Sequence, residues 1–101
     1  MKIFLNKKKL IKIIQHEKNL GFVPTMGAIH KAHIYILKKS TSLCNKTIVT
    51  IFVNKPQFNK ITDYKKYPRN LKKDISILRK YNVDYLYLPT MKQIYPLGYN
   101  K

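Results

Sequence analysis

A strand, a turn and a helix start are written into Gly21-Phe22-Val23-Pro24-Thr25-Met26-Gly27-Ala28-Ile29-His30-Lys31-Ala32-His33. The run begins apolar, breaks at Pro24 and turns through Thr25, Met26 and Gly27. His30 and His33 then stand just ahead of a helix-like segment. This order builds an anion site, because the first amides of a helix lack internal partners and the helix dipole adds partial positive charge there. A nucleotide phosphate is the guest it predicts, with two imidazoles alongside as hydrogen-bond donors.

Working outward, residues 7–19 read as an amphipathic helix. Asn6 is its N-cap, Leu10, Ile11, Ile13 and Ile14 form its apolar face, and Gly21 follows its end. Residues 20–24 are a strand, and residues 31–44 a second helix with Ile34, Leu37, Thr41 and Cys44 at helical spacing. Cys44 reads as a buried, small apolar residue. Residues 47–53, Thr-Ile-Val-Thr-Ile-Phe-Val, suit a central parallel strand covered on both faces. Residues 59–70 read as a polar loop, and residues 71–81 as a helix begun by Asn70 or Pro68, with Leu71, Ile75 and Leu78 on one face. Residues 83–88 are a third strand closed by Pro89; Met91 to Lys101 follow without a clear pattern.

The alternation α-β-α-β-α-β predicts an α/β domain with a small parallel sheet and helical layers on both sides. Ligands of open parallel sheets sit outside the carboxyl ends of the strands. The turn after Val23 and the segment Asn54-Lys55-Pro56-Gln57-Phe58 after Val53 both fall on that edge. With three strands, the last one leaves an edge open unless another segment pairs with it.

The bulk numbers bound the partners. A chain of 101 residues with 45% hydrophobic content fits one small folded domain, residues 1–101. The net charge of +17 first suggests nucleic acid. The charge is nearly all lysine, however, and Arg69 and Arg79 are the arginines. Sequence-specific readers of nucleic acid rely more on the arginine fork. The lysines are also scattered, with small clusters at 7–9, 65–66 and 72–73. They read as solvated faces that attract anionic small molecules such as ATP; no specific nucleic acid is expected. No apolar run approaches the ~20 residues of a membrane span. The apolar start Met1 to Leu5 is too short for a signal peptide, and the lone Cys44 forms no internal disulfide. These features predict a cytoplasmic protein with no membrane partner.

His30 and His33, three apart, share a helical face. A metal needs further ligands, and His16, Cys44 and the few carboxylates are not at metal-site spacing, so no metal site is expected. There is no Gly-x-x-x-x-Gly-Lys loop and no serine–histidine–acid set.

Several blocks, in order and with matching spacing, resemble the pantothenate synthetase (pantoate–β-alanine ligase) family. They are Val23 to His33, Thr50 to Phe58, Asp63, Tyr67-Pro68-Arg69, Val83 to Pro89 and Ile94-Tyr95-Pro96. The resemblance implies a partial Rossmann-like nucleotidylyltransferase fold covering the N-terminal part of longer family members, whose C-terminal domain is absent here. It implies ATP-dependent condensation of pantoate with β-alanine through a pantoyl adenylate. ATP enters as a substrate with Mg2+, and no tightly bound cofactor is implied. By the same resemblance, Met26, Gly27, Ala28, Ile29, His30, Lys31, Ala32 and His33 bind ATP. His30 and His33 are the catalytic pair, and Gln57 contacts pantoate and β-alanine. A homodimer or a separate chain would complete the site. Two positions differ from the family pattern: Ala32 stands where the family has glycine, and Pro56 lies one place later in its motif. A non-catalytic nucleotide-binding fragment and another nucleotidyl transferase of this fold are the alternatives.

Overall fold

The computed structural model describes residues 1–98. Four parallel strands form one sheet: β1 (Lys2–Phe4), β2 (Leu20–Thr25), β3 (Lys46–Ile51) and β4 (Tyr85–Tyr87), in the spatial order β1-β4-β3-β2. The three strands expected from sequence are present. The fourth, β1, pairs with β4 from Lys2↔Tyr85 to Phe4↔Tyr87 and covers the edge that would otherwise be open. Three residues are too few to show a strand period, so β1 was invisible in the pattern. Residues 99–101, the end of the last sequence segment, lie outside the described residues.

Two layers flank the sheet. Helices α2 (Lys31–Leu43) and α4 (Leu71–Lys80) belong to one core, with Val23, Leu37, Val49, Leu78 and Leu86 at its centre. Val49, Leu78 and Leu86 are fully buried. Helix α1 (Lys7–Ile14) crosses the opposite face, where Leu10 packs with Ile48, Tyr85 and Tyr87. Strand β1 sits at one side of the sheet and β2 at the other, so the β1-α1-β2 connection spans its full width. Beyond α1 this second face is uncovered: Phe22 is 61% exposed and Pro24 is also exposed.

Helix α1 ends earlier than residues 7–19. Asn6 caps it by accepting from the Lys9 amide at 3.1 Å, but Gln15 is its last cap and Asn19, at φ 59°, turns the chain. Gly21 instead lies inside β2, where a Cβ would collide with Ser40 Oγ and come within 3.1 Å of Cys44 Sγ. Cys44 is half-buried at the end of α2, less enclosed than expected. The expected loop 59–70 contains a short helix, α3 (Ile61–Lys66), preceded by a 3-10 turn at Lys55–Gln57. Neither has a side-chain N-cap bond, which removes the usual start signal. A last short helix, α5 (Met91–Ile94), is capped by Thr90. Its Gln93 accepts from Tyr87 Oη at 2.6 Å and donates to the Leu5 carbonyl at 2.9 Å, tying it to β4 and the end of β1.

Candidate functional site at the carboxyl ends of the strands

The segments after β2 and β3 meet at one end of the sheet, around a groove of about 780 Å³. Pro24, Thr25, Met26, His30 and His33 line it from the first segment; Asn54, Gln57 and Tyr67 line it from the second. Its apolar floor continues over Phe22, Ile48 and Tyr87. Thus Met26, His30, His33 and Gln57, four of the residues selected from sequence, are brought together. Gly27, Ala28, Ile29, Lys31 and Ala32 do not line the groove. Gly27 borders a smaller hollow of about 420 Å³ together with Arg69 and Asp74, and Ile29 is buried in the core.

The turn is fixed bond by bond. Thr25 Oγ1 donates to the Thr50 carbonyl of β3 at 2.9 Å and accepts from the Gly27 amide at 3.1 Å. Gly27 and Ala28 are left-handed, at φ 82° and 51°. The Ala28 and Ile29 amides donate to the carboxylate of Asp74 on α4, at 3.0 and 2.9 Å. The His30 amide donates to His33 Nδ1 at 3.1 Å, and the Ala32 amide donates to His30 Nδ1 at 3.2 Å. The amides of Gly27, Ala28, Ile29, His30 and Ala32 thus serve protein acceptors. What faces the groove is the pair of imidazoles.

Those bonds set the chemistry of the rings. With Nδ1 accepting on both, the proton of each neutral ring sits on Nε2, a donor. The ring centroids are 4.3 Å apart and tilted by 51°. Burial lowers the His33 pKa from its ordinary value, the neighbouring His30 lowers it further, and Asp74 works in the opposite direction. His33 is therefore biased toward the neutral, Nε2-donating form. Lys31 and Ala32 lie exposed at the start of α2. Alanine in place of the family's glycine is easily accommodated there, because residue 32 is helical.

On the other side of the groove, Pro56 is the second residue of the 3-10 turn Lys55–Gln57, within the first helical turn where proline's fixed φ is tolerated. Asn54 Oδ1 accepts from Tyr95 Oη at 2.7 Å. Phe58 makes edge contacts with Tyr64 and Tyr67 at 5.6 and 5.7 Å between centroids. Arg69 lies over the Tyr64 ring at 4.9 Å and donates to the carbonyls of Tyr67 and Tyr64 at 2.8 and 2.9 Å. Its guanidinium closes the end of α3 and holds Tyr67 against the groove.

Sequence reasoning passed over Asp74 and Thr25. A signal for Asp74 existed: Leu71, Asp74, Ile75 and Leu78 fall at i, i+3, i+4 and i+7, so a carboxylate interrupts an apolar stripe. Among the described residues no group of three or more His, Cys, Asp or Glu side chains is placed to hold a metal. No helix there is long and apolar enough to cross a membrane.

Comparison with known proteins follows the same residues. The family model for pantoate–β-alanine ligase matches residues 2–101. The pantothenate synthetase of Pseudothermotoga lettingae is 44% identical over 93 residues, which are 92% of this chain and 33% of that protein. That of Francisella philomiragia is 51% identical over 82 residues, 81% of this chain and 31% of that protein. The crystal structure of the Francisella tularensis ligase, complexed with β-γ ATP and β-alanine, superposes with a TM-score of 0.93 at 46% identity. It is covered over 39% of its length by 97% of this chain. Pantothenate synthetase from Thermus thermophilus gives 0.89 at 31% identity, with 36% of its length covered. This chain spans about a third of the length of the curated relatives it matches, within their N-terminal part. Over that span its sequence and its fold agree with theirs, and the chain belongs to the pantoate–β-alanine ligase family.

Proposed function

We propose that this chain carries the phosphate-facing part of an ATP-dependent acid-activating site, for the condensation of pantoate with β-alanine. The observation that carries the reading is the imidazole pair on the groove, each ring locked through Nδ1 and left with an Nε2 donor. In the first step a pantoate carboxylate oxygen attacks the α-phosphorus of ATP, and the bond to the β-phosphate oxygen breaks, releasing pyrophosphate. In the second, the β-alanine amine attacks the acyl carbon, loses a proton and expels AMP. His30 and His33 would donate to phosphate oxygens as negative charge builds on them, with His33 as the proton donor. Fixed donors serve this task because they need not reorganise as the charge moves. Gln57, with an amide that both donates and accepts, would hold the carboxylate and hydroxyl of pantoate and the amine of β-alanine.

Magnesium fits this reading as part of the nucleotide substrate, since the described side chains offer no three-ligand acidic or imidazole cluster. Residues 1–101 would form one partial nucleotide-binding domain working in the cytoplasm. A second copy or a separate chain would supply the groups that close the groove. A non-catalytic nucleotide-binding role is the second reading, separated from the first by the exchange assay below.

The test is pantoate-dependent exchange of labelled pyrophosphate into ATP by the purified chain, with His33→Ala as control. Exchange that requires pantoate and is lost in the variant supports the ligase reading. Binding of ATP without exchange leaves the nucleotide-binding reading. Absence of both removes the two together.

A further inference from the structure

Asp74 is one of four acidic residues against 21 lysines and arginines, and it is 4% exposed. A buried carboxylate is costly unless it is paired or hydrogen-bonded. No cation pairs with it among the described residues, where the ion pair present is Lys46 with Asp84. Its two oxygens instead divide between two consecutive amides, Oδ1 accepting from Ile29 and Oδ2 from Ala28. These amides follow the left-handed Gly27 and include the left-handed Ala28. An alanine in that conformation is strained and persists where its surroundings hold it. Gly27 also leaves the carboxylate room, since a Cβ there would stand 3.0 Å from Asp74 Oδ2. The next residue is His30, whose ring and amide are cross-bonded to the start of α2.

We propose that Asp74 is the positioning residue of this site: by gripping the Ala28 and Ile29 amides it fixes the turn, and the turn fixes the aim of the His30 and His33 rings. The carboxylate acts through the backbone and touches no reacting atom. Its value to nucleotide binding rests on the function proposed above; the grip itself does not.

The experiment is NMR on the isotopically labelled 101-residue chain. Scalar couplings across the hydrogen bonds, from the Ala28 and Ile29 amide nitrogens to the Asp74 carboxyl carbon, are expected in the wild type. Their absence would overturn the proposal. Asp74→Asn keeps the shape but turns one acceptor into a donor that faces an amide. In that variant the Ala28 and Ile29 amides should exchange about tenfold faster or more, with Leu86 in β4 unchanged. MgATP affinity should drop with them. Adding Ala28→Gly relieves the left-handed strain at that turn alone and should recover part of both losses. Unchanged exchange at Ala28 and Ile29, or a uniform loss across the sheet that Ala28→Gly does not rescue, would overturn the proposal. If Asp74→Asn does not fold, the wild-type couplings decide. A wild type that shows the couplings but binds no MgATP removes the function reading and leaves the grip standing.

Discussion

Two carboxylates hold the two ends of this sheet, and they do so differently. Asp74, at the carboxyl ends of the strands, is buried and accepts two amides from a left-handed turn. Asp84, at the amino ends, accepts the Thr47 amide at 2.8 Å and stands 3.8 Å from the Lys46 ammonium, with a third of its side chain exposed. Beside it, Ser40 Oγ and Thr47 Oγ1 share a 2.6 Å bond between α2 and β3. The amino end is a joint between regular elements, in contact with water. The carboxyl end holds irregular backbone that would not keep its shape unaided. A carboxylate spent on strained backbone beside a groove marks the end where chemistry is expected, and one that only seals a strand start does not.

The sharpest way to break this comparison is to remove each carboxylate in turn. Asp74→Ala leaves the buried Ile29 amide and the part-buried Ala28 amide unpaired and should lower the unfolding free energy by about 3 kcal/mol. Asp84→Ala opens a water-accessible position and should cost about 1 kcal/mol, since exposed ion pairs are weak. Urea denaturation compares them, and equal losses would erase the distinction. Next come two glycines of nearly equal φ, Gly27 at 82° and Gly98 at 79°. A Cβ at Gly27 meets Asp74 and Ile51, whereas at Gly98 it meets none of the described residues within 4 Å. Gly27→Ala should therefore cost about 2–3 kcal/mol and Gly98→Ala about 1 kcal/mol, the left-handed penalty alone. Thermal unfolding of the pair reads the difference as the collision. Ala28→Gly runs the other way, a gain of about 0.5 kcal/mol as lost strain outweighs added chain entropy.

Acid sharpens the same contrast. The folded chain lowers the His33 pKa below 6.5, mainly by burial. Above the unfolded value this contribution to stability is complete. As pH falls below 6.5 toward the folded midpoint, the unfolded state binds more protons and stability declines. Protonation also removes the Nδ1 acceptor that caps the His30 amide. Protection of the His30 amide, its exchange compared with the intrinsic rate at each pH, should therefore fall with acid before that of Leu86 does. A simultaneous fall in both would count against a local effect.

Much of this was legible in the sequence because periodicity and turn chemistry agree over long segments. The apolar run 47–53 carries β3 as far as Ile51; Ile75 and Leu78 pack into the core from α4, while Leu71 on the same stripe is 42% exposed; and Asn6 and Asn70 cap their helices. What stayed hidden depends on contacts distant in sequence. Strand β1 exists because Lys2–Phe4 meets residues more than eighty positions later. Asp74 reaches amides 45 and 46 positions away, so no local pattern shows that the turn's donors are already taken. The histidines were found as a motif, while their shared Nδ1 bonding, which fixes where their protons sit, required the folded turn.

Strand β2, the outer strand beside β3, has one more consequence. The Phe52 amide bonds to the Thr25 carbonyl, so the backbone groups of Thr25 face β3. Alternation along the strand then turns those of Pro24 and Phe22 outward. Proline has no N–H, so the outward side of β2 lacks one donor in the middle of its length. Any strand laid against it forfeits a rung of the ladder. The far side of the sheet ends in β1, three residues that include a lysine and offer little length to copy. Among the described residues, both margins of the sheet therefore resist an added strand, one through a missing hydrogen and the other through brevity.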